Sequence, residues 1–420
     1  GYPNVITFDM GGTTAKASLV EDGAVSRTSE YEVGGGINLS SQLVKGGGYA
    51  LKVPLIDISE IGAGGGSIVW IDEGGMMQIG PHSAGAVSGP VCYGAGGTEP
   101  TVTDANVVLG YLNPMHLAGG RVRLDAVKAA EVLAARVAGP LGLALLEAAH
   151  GVFTLAANSM VRAVKAVSTY RGRDPRDFAL LAFGGNGPLF GVEMARALQM
   201  GTVIIPPAPG LFSAFGLLLS DIEHHFVQTH FRRASSLDGE GLSAAFSGLE
   251  AQARRALTRE GHVADASIRR FADLRYSGQA YELTVPVPEG QLGPGHIAEV
   301  VRAFEQEHLR TYGHNANGEP VDVVNIRVVG SAPPRGNRTY SPEAALGINA
   351  DRGRPGAAQR SAYFGREAGP LNTPILSRAD LLGRRCEGPF IVEEYDATSL
   401  VPPGCAATLD AQGNIVIEVG

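Results

Sequence analysis

Glycine-rich loops that follow apolar runs constrain the fold of this chain more than any other feature. The segment VITFDMGGTTAKASLV, residues 5–20, places Asp9, two glycines and two threonines between two strand-like runs. The segment VPLIDISE, residues 53–60, leads into IGAGGGSIVWID, and FALLAF, residues 178–183, leads into GGNGP. Glycine lets a backbone approach a ligand closely, and a loop at the end of a strand can hold a phosphate. Each loop taken alone is also compatible with a simple turn, but three such loops are improbable as a coincidence.

The composition excludes several classes of protein. With 420 residues, of which 44% are hydrophobic and 18% charged, the chain is long enough for about two to four domains and can bury a core. The 34 Lys and Arg residues against 42 Asp and Glu residues give a net charge of −8, which argues against binding to nucleic acid or to an anionic membrane. The three cysteines are widely separated, and no apolar run approaches the roughly 20 residues of a membrane helix. We therefore expect a cytoplasmic protein with neither a nucleic-acid nor a membrane partner.

The order of helical and strand-like segments predicts three domains. Residues 1–232 combine the three loops with a long helix, over residues 144–170, that keeps one apolar face. Residues 233–335 follow the order α-β-β-α-β, which is typical of a small α+β domain. Residues 336–420 begin with an Arg-, Gly- and Pro-containing linker and continue as short strands separated by turns, which predicts a β-rich C-terminal domain.

Six motifs together resemble the hydantoinase A/5-oxoprolinase family, to which ketone carboxylase subunits are also similar. They are FDMGGTT, EIGAGGGSIVWID, GPHSAGAVSGPVCYGAGGTEPTVTDAN, DPRDFALLAFGGNGP, PPAPGLFSAFGLLLSD and RYSGQAYEL, and they cover nearly the whole chain in order. The resemblance implies an α/β fold, namely the second lobe of an actin, heat-shock chaperone and sugar kinase-like ATPase. A full-length member is expected to carry one Asp-Gly-Gly-Thr loop in each of two lobes. The loop at Asp9 matches the second, so an N-terminal lobe is expected outside this chain.

The same resemblance implies ATP-dependent ring opening of a cyclic amide such as a hydantoin or lactam. The amide oxygen is expected to accept the γ-phosphoryl group of ATP, after which water attacks the ring carbon. A B-type subunit is the expected partner. Asp9 is the implied catalytic residue, and it is also the implied Mg²⁺ ligand, directly or through water.

The implied nucleotide-binding residues come from all three loops. They are Gly11, Gly12, Thr13, Thr14, Gly64, Gly65, Gly66, Gly184, Gly185 and Asn186. The first four are expected at the β- and γ-phosphates, and the last three beside adenine or ribose. Two interpretations of residues 64–66 stay open, a direct phosphate contact and a structural hairpin.

Several further choices stay open at this point. Lys16, where many relatives are expected to have Asp, either meets a phosphate or lies in solvent, and its presence favours a hydantoin or lactam over oxoproline. Cys92 is either a nucleophile or a small buried hydrophobic residue, His82 either a base or a structural donor, and Asp104 either a catalyst or a helix cap. Two other functions are compatible with the motifs, an ATP-dependent ketone carboxylase subunit and a non-catalytic nucleotide-binding subunit.

Overall fold

The contacts within the chain define two compact units. A computed structural model describes residues 1–28, 31–33, 49–51, 55–115, 117–118, 120–316, 318–334 and 359–420. The first unit combines Gly1–Thr169, Asp174–Ala214 and Ser341–Gly420, and the second combines Tyr170–Arg173 with Phe215–Tyr340.

Both units mix helices and strands. The helices are α1 (Val102–Val108), α2 (Ala126–Leu133), α3 (Gly139–Leu141), α4 (Leu145–Val167), α5 (Gly187–Leu198), α6 (Phe212–Leu219), α7 (Gly239–Arg259), α8 (Pro294–Tyr312) and α9 (Gly365–Ala368). The strands are β1 (Val5–Met10), β2 (Ala15–Glu21), β3 (Ala24–Val25), β4 (Arg27–Thr28), β5 (Tyr31–Val33), β6 (Tyr49–Leu51), β7 (Leu55–Ile56), β8 (Ile58–Ile61), β9 (Ser67–Ile71), β10 (Met77–Ser83), β11 (Ala179–Phe183), β12 (Thr202–Ile205), β13 (Ile222–Arg233), β14 (Ser267–Tyr276), β15 (Leu283–Val287), β16 (Val321–Ala332), β17 (Gln359–Tyr363), β18 (Pro370–Leu376), β19 (Cys386–Glu387), β20 (Phe390–Glu393), β21 (Thr398–Val401), β22 (Ala406–Leu409) and β23 (Ile415–Glu418). A π-helical turn, Ala134–Ala138, connects α2 to α3. The α/β class expected from the sequence is confirmed.

A nine-stranded sheet organises the first unit. Its order is β19-β22-β23-β12-β11-β1-β2-β3, and β8 pairs with β2. Strand β1 runs parallel to β11 and antiparallel to β2, with Asp9 opposite both Phe183 and Lys16. Because the carboxyl ends of parallel strands meet at one edge of a sheet, the loops after β1 and β11 lie side by side.

Alternation along β1 separates the core from the site. Ile6, Phe8 and Met10 are fully buried, whereas Thr7 and Asp9 alternate with them and are half-buried. The buried side belongs to a core that includes one face of α4 and most of α5. The chain thus presents the Asp9 carboxylate on the face of the sheet opposite its apolar core.

The C-terminal segment joins the first unit, which differs from the separate β-rich domain expected from the sequence. Strand β23 pairs antiparallel with β12, so β22 and β23 extend the main sheet. Arg378 is buried and donates to the backbone oxygens of Ile205 and Pro206, and it also pairs with Glu394 at 2.7 Å. Sequence patterns are local and carry no signal for such a distant strand pairing, which explains the difference.

The second unit is a four-stranded antiparallel sheet with two helices. The strand order is β13-β16-β14-β15. Elements α7, β14, β15, α8 and β16 follow one another in the chain, in the order α-β-β-α-β, with β13 added before them. Phe246 from α7 and Phe304 from α8 are fully buried in its core.

Among the described helices, none alone is both long and apolar enough to span a membrane. One bent pair, Ala126–Leu141 with Leu145–Arg171, meets the length and composition criteria only when the two are taken together, at an angle of 88°.

Candidate functional site

The first glycine loop turns between β1 and β2 and presents free backbone donors. The amide of Gly11 donates to the oxygen of Thr14 at 3.1 Å and closes the loop. Gly12 and Thr13 are exposed. Among the described residues, the amides of Gly12, Thr13 and Thr14 have no acceptor. Successive unpaired amides in a tight loop form a concave anion-binding surface.

The second loop, residues 64–66, donates hydrogen bonds to the backbone of the first. Gly64, Gly65 and Gly66 are buried, and each of their amides has an acceptor within the protein. Gly65 donates to the oxygen of Gly11 at 3.1 Å and Gly66 to the oxygen of Gly12 at 2.7 Å. A Cβ on Gly64 would lie 2.6 Å from backbone atoms of Gly12, so only glycine permits this approach. The observed hydrogen bonds therefore favour the structural interpretation of residues 64–66.

The third loop closes against the first from the other side. Gly184 has a φ of +82°, and a Cβ there would collide with the Asp9 carboxylate. The backbone amide of Asn186 donates to the oxygen of Met10 at 2.9 Å, and its side chain donates to the oxygen of Gly11 at 3.1 Å. All residues expected to bind nucleotide thus lie in one cluster around the first loop.

Ser213 hydrogen-bonds to Asp9, and the sequence did not identify it as a site residue. Its hydroxyl donates to Asp9 Oδ2 at 3.0 Å. It stands in the first turn of α6, which the backbone positions through a bond from the amide of Gly184 to the oxygen of Pro209. The motif PPAPGLFSAFGLLLSD contains this serine, but no local pattern connects it to a carboxylate 204 residues away.

Asp104 anchors the loop that holds the second glycine segment in place. It is fully buried, and its carboxylate accepts hydrogen bonds from the amides of Val91, Cys92 and Thr101 and from the Thr101 hydroxyl. With Thr101 it forms the capping box of α1. The next residue back, Thr103, donates both its amide and its hydroxyl to the oxygen of Gly65, each at 2.8 Å. The helix-cap interpretation of Asp104 is therefore favoured: Asp104 is the N3 residue of a capping box whose N-cap is Thr101, and the spacing Thr-x-x-Asp is the sequence signal for it.

A cavity of about 290 Å³ adjoins the third loop. It lies between Asn186, Thr103 and the turn that connects β20 to β21 at residues 393–398. Asp396 in this turn accepts a hydrogen bond from the amide of Gly210 at 2.8 Å. The C-terminal segment, for which the sequence predicted no role at the site, thus contributes a wall of this cavity.

Three other residues considered from the sequence have ordinary surroundings. Lys16 lies in register with Glu60 and pairs with it at 3.7 Å. Burial, and after it the Asp104 carboxylate, raises the pKa of the Cys92 thiol far above its usual range. A thiol held in the protonated form is a poor nucleophile, so the interpretation as a buried hydrophobic residue is favoured. His82 is exposed on β10.

The arrangement around Asp9 fits a magnesium ion bound mainly by phosphate. Asp9 supplies one half-buried carboxylate, and the described residues contain no group of three or more His, Cys, Asp and Glu side chains that could hold a metal. Mg²⁺ commonly takes one or two carboxylates and completes its shell with waters and substrate phosphates. One carboxylate beside a loop of unpaired amides is therefore compatible with such a site.

The chain is similar in sequence to several known proteins over nearly its whole length. The chain is 38% identical to an uncharacterised protein from Methanocaldococcus jannaschii, over 99% of this chain and 58% of that protein. It is 35% identical to the caprolactamase subunit alpha of Pseudomonas jessenii, over 100% of this chain and 59% of that subunit. It is 32% identical to the acetophenone carboxylase gamma subunit of Aromatoleum aromaticum, over 100% of this chain and 57% of that subunit. The chain thus spans less than two thirds of the length of these relatives.

The fold comparison and the family models give the same result. The crystal structure of the ATP-dependent caprolactamase from Pseudomonas jessenii superposes with a TM-score of 0.81 at 33% identity, covering 100% of this chain and 59% of that one. The hydantoinase/oxoprolinase model matches residues 1–226, and the hydantoinase/oxoprolinase C-terminal domain model matches residues 232–416. The resemblance inferred from the motifs is confirmed, and the chain belongs to the hydantoinase/oxoprolinase family.

Proposed function

We propose that this chain takes part in the ATP-dependent ring opening of a cyclic amide such as a hydantoin or a lactam, as an A-type subunit or part of one. The observation that carries the proposal is the amide loop at residues 11–14, held on one side by residues 64–66 and on the other by Asn186. A loop fixed in this way is prepared to bind a phosphate without rearranging. The similarity to a caprolactamase subunit supports a cyclic amide as the acceptor.

Each part of the cluster has a distinct role in the proposal. The amides of Gly12, Thr13 and Thr14 bind the terminal phosphates, and the two threonine hydroxyls add further donors. ATP supplies the phosphoryl group that makes the amide carbon open to attack by water. The Asp9 carboxylate, steadied by Ser213, holds Mg²⁺ directly or through water, or orients the acceptor.

The third loop and the cavity beside it are assigned to the nucleoside in this proposal. Gly184, Gly185 and Asn186 allow close approach to adenine or ribose, and the cavity of about 290 Å³ offers space next to them. An N-terminal lobe and a B-type subunit are the proposed partners, since the relatives named above are longer and two of them are named as subunits.

A second candidate keeps the nucleotide site and changes the acceptor. The similarity to the acetophenone carboxylase gamma subunit supports an enol oxygen of a ketone as the acceptor, followed by carboxylation. The loops described above serve either acceptor, because they contact the phosphate and not the group that receives it.

Phosphate release from Mg-ATP with a panel of acceptors tests both candidates. We would measure hydantoins, lactams, oxoproline, and ketones with bicarbonate, on this chain alone and together with an upstream lobe and a B-type partner. Asp9→Asn removes the charge and keeps the side-chain shape, and Asp22→Asn, at an exposed turn between β2 and β3, is the matched control. Release stimulated by a cyclic amide and lost only in Asp9→Asn would support the proposal.

The other outcomes separate the alternatives. Stimulation only by ketone with bicarbonate would favour the carboxylase. Nucleotide binding without turnover under every condition would favour a nucleotide-binding subunit. Equal rates of phosphate release in Asp9→Asn and Asp22→Asn would show that Asp9 is not needed for the reaction.

A further inference from the structure

A second cavity, of about 360 Å³, lies in the first unit away from the glycine loops. It is lined mainly by residues of α4, α5, the short helix α9 and the end of β21, and it opens to solvent on one side. The salt bridge between Arg366 and Glu147, at 2.9 Å, ties α9 to α4 at this place. The cavity falls within the size range of small-molecule sites, which is about 300–1,000 Å³.

Glu193 brings a carboxylate to this cavity that is not directly paired with any described residue. The residue is half-buried on α5, and among the described residues it makes neither a hydrogen bond nor an ion pair. Its charge reaches the neighbouring groups, since it acts on the pKa values of both Tyr111 and His150. Glu367 adds a second carboxylate at the open side. A partly buried carboxylate without a partner favours a cationic ligand.

Arg196, one turn further along α5, brings the opposite charge. Its Nη2 donates to the oxygen of Pro403 at 2.7 Å and contacts Cys405 Sγ at 3.4 Å. Among the described residues, its Nε and Nη1 have no acceptor. Side chains three residues apart on a helix are neighbours, so Glu193 and Arg196 could pair with each other, but among the described residues neither belongs to an ion pair. Both charges therefore remain available to a ligand.

Aromatic walls and a neutral imidazole complete the cavity. Tyr111 and Phe153 pack edge to face with ring centroids 5.1 Å apart, and Phe364 lies 5.8 Å from Tyr111. Burial lowers the pKa of His150, against an opposing contribution from Glu193, so its imidazole is neutral at pH 7 and can accept a hydrogen bond. Aromatic faces and a neutral acceptor both suit an ammonium group.

A metal ion is a poorer occupant than an organic cation. No group of three or more His, Cys, Asp and Glu side chains in the described part of the chain could hold a metal. The cavity is also distinct from the one beside the proposed nucleotide site, because the two share no lining residue.

We propose that this cavity binds a small zwitterionic amino acid, with its ammonium group at Glu193 and its carboxylate at Arg196. The carbon chain between the two charges lies against the aromatic walls. Opening a lactam produces one amine and one carboxylate on the same molecule, so the ring-opened product belongs to this class when the substrate of the proposed reaction is a lactam. The site gives the protein a place to sense that product apart from the place where it forms.

Titration calorimetry with single-charge analogues tests the assignment. The probes are 6-aminohexanoate, 4-aminobutanoate, hexanoate and hexylamine, added to the full chain without nucleotide. We expect Glu193→Gln to weaken 6-aminohexanoate about tenfold or more while leaving hexanoate unchanged. Arg196→Gln should weaken hexanoate and leave hexylamine unchanged. Glu131→Gln, on the exposed side of α2, is the matched control and should alter none of the four.

Melting temperatures of all variants show whether the fold is intact. Arg196 also donates to the oxygen of Pro403, so Arg196→Gln could be unstable. In that event the test rests on Glu193→Gln alone, which should weaken the binding of hexylamine and leave the binding of hexanoate unchanged. Absence of 6-aminohexanoate binding to the unaltered chain, or equal affinities in Glu193→Gln and Glu131→Gln, would overturn the proposal. Asp9→Asn should bind 6-aminohexanoate as tightly as the unaltered chain does. The binding test therefore gives its answer even if the proposed catalysis is not observed.

Discussion

The side-chain amide of Asn186 donates a hydrogen bond to the backbone oxygen of Gly11 over 3.1 Å, joining two loops that are 175 residues apart. The same residue donates its backbone amide to Met10. On the other side, Gly65 donates to the same oxygen of Gly11. With its oxygen held from two directions, the Gly11 peptide is fixed, and so is the orientation of the amides that follow it.

Removing the Asn186 side chain should therefore weaken nucleotide binding more than stability. Asn186→Ala loses one hydrogen bond at a half-buried site, worth about 1 kcal/mol, which corresponds to about a fivefold loss of affinity. Nucleotide affinity is measured by calorimetry on the assembly used for turnover. Asn4→Ala, which loses a bond to the amide of Asp22 at the opposite end of β1, is the control. Equal affinities in the two variants would mean that the Asn186 contact does not orient the loop.

Alanine at Gly12 and at Gly64 should separate ligand contact from internal packing. A Cβ on Gly12 meets nothing within 4 Å, whereas a Cβ on Gly64 lies 2.6 Å from the backbone of Gly12 and Thr13. Gly12→Ala should keep the melting temperature and lose nucleotide affinity, because the added methyl occupies the space of a phosphate. Gly64→Ala should unfold at a lower temperature, since backbone must shift to make room. Thermal unfolding with and without Mg-ATP measures both effects.

The opposite pattern would argue against the proposed role of the first loop. If Gly12→Ala binds nucleotide as tightly as the unaltered chain, the phosphates lie elsewhere. Gly201→Ala, with open space around its Cβ and a position outside the three loops, controls for the general effect of alanine.

The sequence predicted the central loops because their signals are short and local. Two patterns predict a tight turn at the end of a strand: Asp9 followed by two glycines and two threonines, and the double glycine after β11. The structure contains a turn at each of these two places. The direction of each amide in residues 64–66 could not be read in the same way, since it depends on contacts with Gly11 and Gly12. Parts of the site that come from far along the chain, such as Ser213 and the turn at residues 393–398, carry no local pattern at all.

The C-terminal strands illustrate the same limit for the fold. Their short lengths and turn residues predicted strands correctly, but not which sheet they would enter. That choice depends on the pairing of β23 with β12 and on the buried Arg378, whose partners are separated from it by up to 173 residues. Composition and periodicity describe a strand and not its neighbour.

Ser213→Ala should slow turnover without abolishing it. The Ser213 hydroxyl is the partner of Asp9 Oδ2, and losing one exposed hydrogen bond to a charged group costs about 1 kcal/mol. We expect about a fivefold lower rate of amide-stimulated phosphate release and little change in nucleotide affinity. Ser220→Ala, which removes a hydroxyl that donates to the backbone oxygen of Gly216, is the control. A loss as large as that of Asp9→Asn would show that the serine itself contacts the reacting groups.

Cys92 should resist alkylation in the folded protein, with a consequence for pH. Burial and the nearby Asp104 carboxylate raise the pKa of the Cys92 thiol, so its reactive thiolate is scarce at pH 8. Cys386 is only half-buried, so a reagent can reach it more easily than the buried Cys92. Mass spectrometry after iodoacetamide treatment should find Cys386 modified and Cys92 intact until the chain unfolds. The unfolded thiol ionises near its ordinary pKa of 9.0 while the folded one stays protonated. Stability should therefore fall as the pH rises above about 9, and less steeply in Cys92→Ala. Rapid alkylation of Cys92 in the folded protein would instead favour its interpretation as a nucleophile.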